Sequence, residues 1–223
     1  GGVLAVQDGA RGPGEVPGLE TAYAHLKAFH RPVLVVSCEV CSSTYFPGAE
    51  SDLQNTISNL IFNDGACAIA VDQSQDGQFP AILDFERSFT SEGLGLLGYT
   101  YRDNRMKVVL HKDVRTRIPP MIGQVVHRLL KRNGLTREDV ANWVFHNGGV
   151  AVLNEVADVL GLDSEKDLRY SWQVLREYGN VSSATAGIVA ERMHADPANH
   201  TGYVVGCTMG AGGQVGAALL KYD

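Results

Sequence analysis

Short β-branched apolar runs alternating with stretches of helical spacing constrain this chain most, because strands buried on both faces read as near-continuous hydrophobic runs in α/β layers. The first is "VLVVSCEV" (33–40), which follows a helix-forming stretch from Leu19 to Phe29 and a stop at Arg31-Pro32. Ser51 to Ile61 returns to helical spacing, with Leu53, Ile57, Leu60 and Ile61 on one face. An Asn-Asp-Gly turn then opens the strand run "NDGACAIAVD", and "PAILDFERSF" and "RMKVVLHKD" read as further strands. Met121, Ile122, Val125, Val126, Leu129 and Leu130 repeat at helical spacing up to Asn133-Gly134, which supplies a stop. Thr136 and Asp139 have the spacing of a capping box ahead of "VANWVFHN". Val150, Leu153, Val156, Ala157 and Leu160 mark the next helix, Ser182 to Met193 another, and "TGYVVGCTM" runs extended into a final "GAGGQVGAALLKYD".

Two of these segments echo each other. "NDGACAIAV" and "GAGGQVGAALL" are both glycine-rich turns that deliver a small-residue strand, which suggests a duplicated α/β architecture. The polar stretch Gln73 to Gln78 is the best internal boundary, so the expected division is 1–72, a linker at 73–80, and 81–223. With 223 residues and 44% hydrophobic content the chain can fill a real core. A net charge of -6 without a basic run argues against a nucleic-acid binder. No apolar stretch reaches the roughly 18 to 20 residues needed to span a bilayer, and no signal-peptide pattern is present, so no membrane is expected and the cytoplasm is the expected location. Cys38, Cys41, Cys67 and Cys207 are too few for a disulfide framework and are expected reduced, three of them in or beside apolar runs where buried thiols are common.

His146 carries the first chemical signal. It ends a strand-like run and faces Gly148 and Gly149, which open the next helix and let a ligand approach the backbone closely. Asn180, in "EYGNVSSA", places a carboxamide near a small-residue helix start. Taken singly, the histidine reads as a structural hydrogen-bonding residue and the asparagine as a cap or turn. Together they are two donors able to hold a thioester oxygen as negative charge develops on it.

At this point the sequence resembles a family, the type III polyketide synthases, which include the chalcone synthases. The blocks "VLVVSCE", "LIFNDGACAIAV", "LHKDV", "FHNGG" and "EYGNVSSA" are similar to successive family blocks in the same order. The resemblance implies a thiolase-like fold of duplicated αβαβα layers, with the chain covering the end of the first half and all of the second. It implies a Cys-His-Asn set in which His146 and Asn180 are the second and third members. The family cysteine lies just upstream of a segment similar to "GGVL" (1–4), so the resemblance places the nucleophile before Gly1, on a cysteine-bearing N-terminal segment without which the chain is expected to be inactive. It also implies malonyl-CoA and acyl-CoA as substrates, no tightly bound cofactor, no metal, and a homodimer.

Further positions follow from the resemblance. Phe62 matches an aromatic at the entrance between the coenzyme A tunnel and the cavity, though a core phenylalanine reads almost as well. Cys41, Thr44, Tyr99, Val108 and Ser182 fall on cavity positions. Val108 stands where plant members carry a second gate phenylalanine, Tyr99 where a glycine is typical, and Asn147 where the family has the proline of His-Pro-Gly-Gly. These departures point to a bacterial branch, with the one that builds 3,5-dihydroxyphenylacetyl-CoA from malonyl-CoA as a candidate. Two other enzymatic or structural readings compete: a ketoacyl-acyl carrier protein synthase III, with a similar fold and catalytic set, and a non-catalytic thiolase-fold scaffold. A zinc or redox role for Cys38 and Cys41 lacks a second ligand pair, and "GAGGQVG" lacks the P-loop lysine and reads as a tight turn on the active-site floor.

Overall fold

The computed structural model describes residues 15–46, 53–73, 78–102 and 104–222. The segment 1–4, most of the loop 8–18 and the middle of the expected linker 73–80 lie outside the described residues. Helix α1 (Glu15–Phe29) leads into β1 (Val33–Glu39), and a 3-10 turn, Cys41–Thr44, precedes α2 (Leu53–Ile61) and β2 (Gly65–Val71). Then come β3 (Ala81–Ser88), the hairpin of β4 (Leu97–Arg102) and β5 (Arg105–Leu110), and α3 (Val114–Arg132). Strand β6 (Val140–Phe145), α4 (Val150–Leu160), α5 (Ser164–Asp167), α6 (Arg169–Tyr178), α7 (Thr185–His194), β7 (Gly202–Gly210) and β8 (Gln214–Tyr222) complete the order.

Four strands form one sheet in the order β3, β8, β7, β6, with β6 and β7 parallel and the other pairs antiparallel. Both faces are covered. On one side Val125, Val126 and Leu129 of α3 and Leu153 and Val156 of α4 pack against Trp143, Phe145, Val205 and Leu219. On the other, Val174 of α6 and Val189 and Met193 of α7 meet Val144, Val204 and Tyr222. That double cover explains why "VANWVFHN" and "TGYVVGCTM" lack polar alternation: inward and outward side chains both meet a helix.

The two glycine-rich turns occupy equivalent places. The first delivers β2, antiparallel to β1, and the second delivers β8, antiparallel to β7. Helix α1 covers the β1–β2 pair through Ala22 and Leu26 packed on Val33, Val35 and Val71. The opposite face, with Val36 and Cys38, is exposed.

Several local expectations change. The apolar face of α2 is not core: Leu53 and Leu60 are exposed while Asn55 and Ser58 are buried. The cause is polar, because Asn55 and Asn59 both donate to the Phe46 carbonyl and turn their side of the helix inward. Of the cysteines only Cys207 is buried; Cys38 is exposed and Cys41 and Cys67 are half-buried, since β1 and β2 pair only with each other among the described residues. Strand β4 and helices α5 and α6 add to the elements expected from the sequence, although α6 is strongly amphipathic. The capping box at Thr136 and Asp139 is present, but it closes a 3-10 turn that feeds β6 directly.

Candidate active site

His146 follows the last residue of β6, and the parallel ladder carries it one step further, its N–H donating to the Cys207 carbonyl at 3.0 Å. Buried Trp143, Val144 and Phe145 anchor the strand beneath it. Beyond it Gly149 takes φ 122° and ψ 165°, a conformation closed to side-chain-bearing residues, and this turns the chain into α4. The histidine is therefore fixed by its strand while the chain beside it bends away.

Asn180 is set by a different pair of segments. It forms an isolated parallel bridge with Phe62: its N–H donates to the Ile61 carbonyl at 2.7 Å, and its carbonyl accepts from the Asn63 N–H at 2.9 Å. Gly179, at φ 70°, permits this approach, because a Cβ there would stand 2.7 Å from the Ile61 oxygen. The Asn180 side chain is 3% exposed, and its Oδ1 accepts from the Ser182 N–H at 2.9 Å. With the oxygen committed, the Nδ2 group has no hydrogen-bond partner among the described residues. Ser182 holds φ 51°, a strained value for a non-glycine residue.

His146 and Asn180 line one cavity of about 590 Å³. The sequence-derived positions Phe62, Tyr99, Val108, Ser182, Gly148 and Gly149 line it too. Tyr99 and Val108 are directly opposite each other in the β4–β5 hairpin, so they present a large and a small side chain side by side on one wall. Leu53, Ile57 and Ile61 contribute a second wall, which gives the outward apolar face of α2 its place. Gly210 and Ala211, from the β7–β8 turn, also border the space, as the reading of that turn as floor requires.

Cys41 and Thr44 do not join them. They open and close the 3-10 turn after β1, where the Thr44 hydroxyl donates to the Cys41 carbonyl, and neither borders the cavity among the described residues. The resemblance implied cavity positions for both, but the 3-10 turn that follows β1 keeps them out of the lining. Burial, helped by Glu39 and Asp64, raises the Cys41 thiol to about 11, and burial pushes Cys207 up as well. Both are protonated and unreactive at neutral pH.

The electrostatics of His146 follow from its walls. Burial alone lowers its pKa from the ordinary 6.5 to about 4, so the imidazole is neutral at pH 7 and keeps one N–H to donate. A protonated imidazole, as the resemblance to a Cys-His pair implies, requires a thiolate brought against it. Among the described residues no three His, Cys, Asp or Glu side chains are grouped to hold a metal ion, and no helix is long and apolar enough to cross a membrane.

Two features escaped the sequence reading. Asn63 looked like a turn residue, yet its Nδ2 donates to the Tyr178 carbonyl and braces the segment before Asn180. Asn147 looked like a mere loss of proline, yet it is fully buried and reaches Gly179.

Comparison with known proteins places the fold and the family. The chain is 32% identical over 196 residues to a 3,5-dihydroxyphenylacetyl-CoA synthase of Amycolatopsis orientalis, covering 85% of this chain and 51% of that protein. It thus spans about half the length of the curated relatives it matches. The crystal structure of PKS-I from the brown alga Ectocarpus siliculosus superposes with a TM-score of 0.83 at 23% identity, over 95% of this chain and 59% of that one. The type III polyketide synthase domain of Steely1 from Dictyostelium gives 0.84 at 21%, over 95% and 60%. The fold is that of these enzymes, mixed helix and sheet in the thiolase-like α/β arrangement. Residues 86–219 match the model of the C-terminal domain of chalcone and stilbene synthases, and the chain belongs to that family.

Proposed function

We propose that this chain supplies the histidine and asparagine of a type III polyketide synthase, which extends a cysteine-bound acyl group with malonyl-CoA and cyclises the product. The observation that carries the reading is the convergence of His146 and Asn180 on one largely apolar cavity, one as a neutral imidazole and the other with an uncommitted amide Nδ2.

The chemistry needs few groups. As malonyl-CoA loses CO2, the electrons of the breaking C–C bond pass into the thioester and leave an enolate oxygen. The His146 N–H and the Asn180 Nδ2–H stabilise that charge in a largely apolar cavity. The enolate carbon then attacks the acyl carbonyl on the cysteine, and the thiolate leaves. None of Cys38, Cys41, Cys67 and Cys207 lines the cavity among the described residues, which supports a nucleophile contributed by a cysteine-bearing segment outside this sequence. Held against that thiolate, His146 would gain a proton and lower the thiol pKa. Phe62 borders the entrance, and Tyr99 with Val108 sets the shape in which the chain folds before cyclising. Coenzyme A thioesters serve as substrates, no tightly bound cofactor is needed, and the enzyme works as a homodimer. In this reading 1–72 belongs to the first thiolase-like half, 73–80 links, and 81–223 is the second half. The relative in Amycolatopsis suggests 3,5-dihydroxyphenylacetyl-CoA as the product.

The test is a malonyl-CoA assay without carrier protein, on the chain alone and combined with a cysteine-bearing first half. Release of CO2 and of a cyclised product by the combination, lost in His146→Ala, is the expected result. Strict dependence on acyl carrier protein would assign it to the ketoacyl synthases instead, and activity untouched by His146→Ala would leave it a scaffold.

A further inference from the structure

We propose that Asn147 is a positioning residue: its buried carboxamide is the strut that fixes the distance between the His146 loop and the Asn180 loop. The inference rests on the pairing of His146 and Asn180 proposed above.

The argument starts from the backbone on either side. His146 is tied by its own N–H to Cys207 on β7, while Asn180 is tied to Ile61 and Asn63. These are two separate braces on two separate parts of the fold, and neither one sets the gap between the two side chains. The carbonyls of Tyr178, Gly179 and Asn180 are each held: the first by Asn63 Nδ2, the third by the Asn63 N–H, and the middle one by Asn147 Nδ2 at 2.9 Å. Among the described residues Asn147 makes the one side-chain hydrogen bond that runs from the histidine loop to the asparagine loop.

Its chemistry suits a strut better than a packing role. Gly179 presents a carbonyl, so the group facing it must be the NH2 of the amide, which fixes the orientation of the side chain. The opposite end, Oδ1, is buried without a partner, and the residue is 0% exposed. An apolar residue would avoid that cost, since a buried unpaired acceptor is unfavourable. The donor function is what distinguishes asparagine here. Sitting next to His146 in the chain, Asn147 also pins the peptide that orients the imidazole.

The experiment compares Asn147→Ala and Asn147→Leu with Asn142→Ala. Asn142 is a matched control: it lies on β6, the strand that leads to His146, is buried, and its Nδ2 donates to a backbone carbonyl, that of Asn199, away from the cavity. Leucine removes the donor and the orphan oxygen while keeping about the same side-chain volume, so that variant keeps the test open if alanine does not fold. The first readout, taken on the chain itself, is the NMR titration of the His146 ring and the shift of the Asn180 side-chain amide. The groups sharing the cavity that could titrate or carry charge are Tyr99, His111, Lys112 and Arg115, all present in every variant. Loosening the loop admits water, so the His146 midpoint should rise from about 4 towards 6.5 by half a pH unit or more in both Asn147 variants, and stay put in Asn142→Ala. The second readout is malonyl-CoA decarboxylation in the preparation used for the functional test. A kcat reduced about tenfold or more with KM within about twofold is expected for both Asn147 variants and not for Asn142→Ala, because displacement matters in the transition state and not in binding. Matching behaviour of the Asn147 and Asn142 variants in the NMR readout overturns the proposal. Absence of decarboxylation in the unmodified protein overturns the functional reading, and the NMR comparison then decides the strut by itself.

Discussion

Replacing His146 with glutamine should flatten the acid limb of the protein's stability curve. In the folded chain burial holds the imidazole pKa at about 4, against the ordinary 6.5 that an unfolded chain restores. Between these values the unfolded state binds the proton and the folded state does not. Stability is therefore complete above about pH 6.5 and is lost progressively as pH falls towards 4. The full difference corresponds to roughly 3 kcal/mol, an upper figure because the ring is half-buried and cavity water can hydrate the charged form. Glutamine keeps a hydrogen-bonding side chain and cannot titrate. Urea unfolding of both proteins, followed by the fluorescence of Trp143 and Trp172, gives the stability difference at each pH. Other groups, including His194, whose pKa burial and His200 lower, and the depressed carboxylates Asp84 and Glu86, contribute equally to both and cancel. The advantage of the unmodified chain should shrink by up to about 3 kcal/mol between about pH 7 and pH 4. Parallel curves would mean that the imidazole is freely hydrated, and would remove the case for a donor kept neutral by burial.

Gly179→Ala forces a Cβ to 2.7 Å from the Ile61 oxygen at φ 70°; it should cost about 1–3 kcal/mol in chemical denaturation, and a loss below about 0.5 would contradict the tight crossing. A thiol reagent should modify exposed Cys38 in the native protein while Cys207 reacts only after unfolding, as peptide mass mapping would establish; native labelling of Cys207 would contradict the covered sheet. Val108→Phe sets a second ring beside Tyr99 on the cavity wall and should shift the active enzyme towards shorter products, read by mass spectrometry; an unchanged product profile would remove this wall from the shape-determining surface.

Much of the architecture is legible in local pattern. The β-branched runs became β1, β2, β6 and β7; β6 and β7 are apolar at nearly every position because helices cover both their faces, while β1 and β2 are covered by α1 on one face only. The helical spacing of α3 and α4 survived because those faces do pack on the sheet. Spacing failed where an apolar stripe had another destination: α2 turns its leucines and isoleucines to the cavity and the surface, because Asn55 and Asn59 anchor it by the other side.

The sequence by itself determined that this is an α/β chain of the polyketide synthase family and that His146 and Asn180 stand beside glycines where regular elements end. Only the tertiary structure decided which residues share their cavity, leaving Cys41 and Thr44 outside it and making Asn147 a bridge across 32 residues. The reason is that periodicity records which face of an element is apolar, whereas a cavity and the struts across it are set by hydrogen bonds between segments far apart in the chain, and these leave no periodic trace.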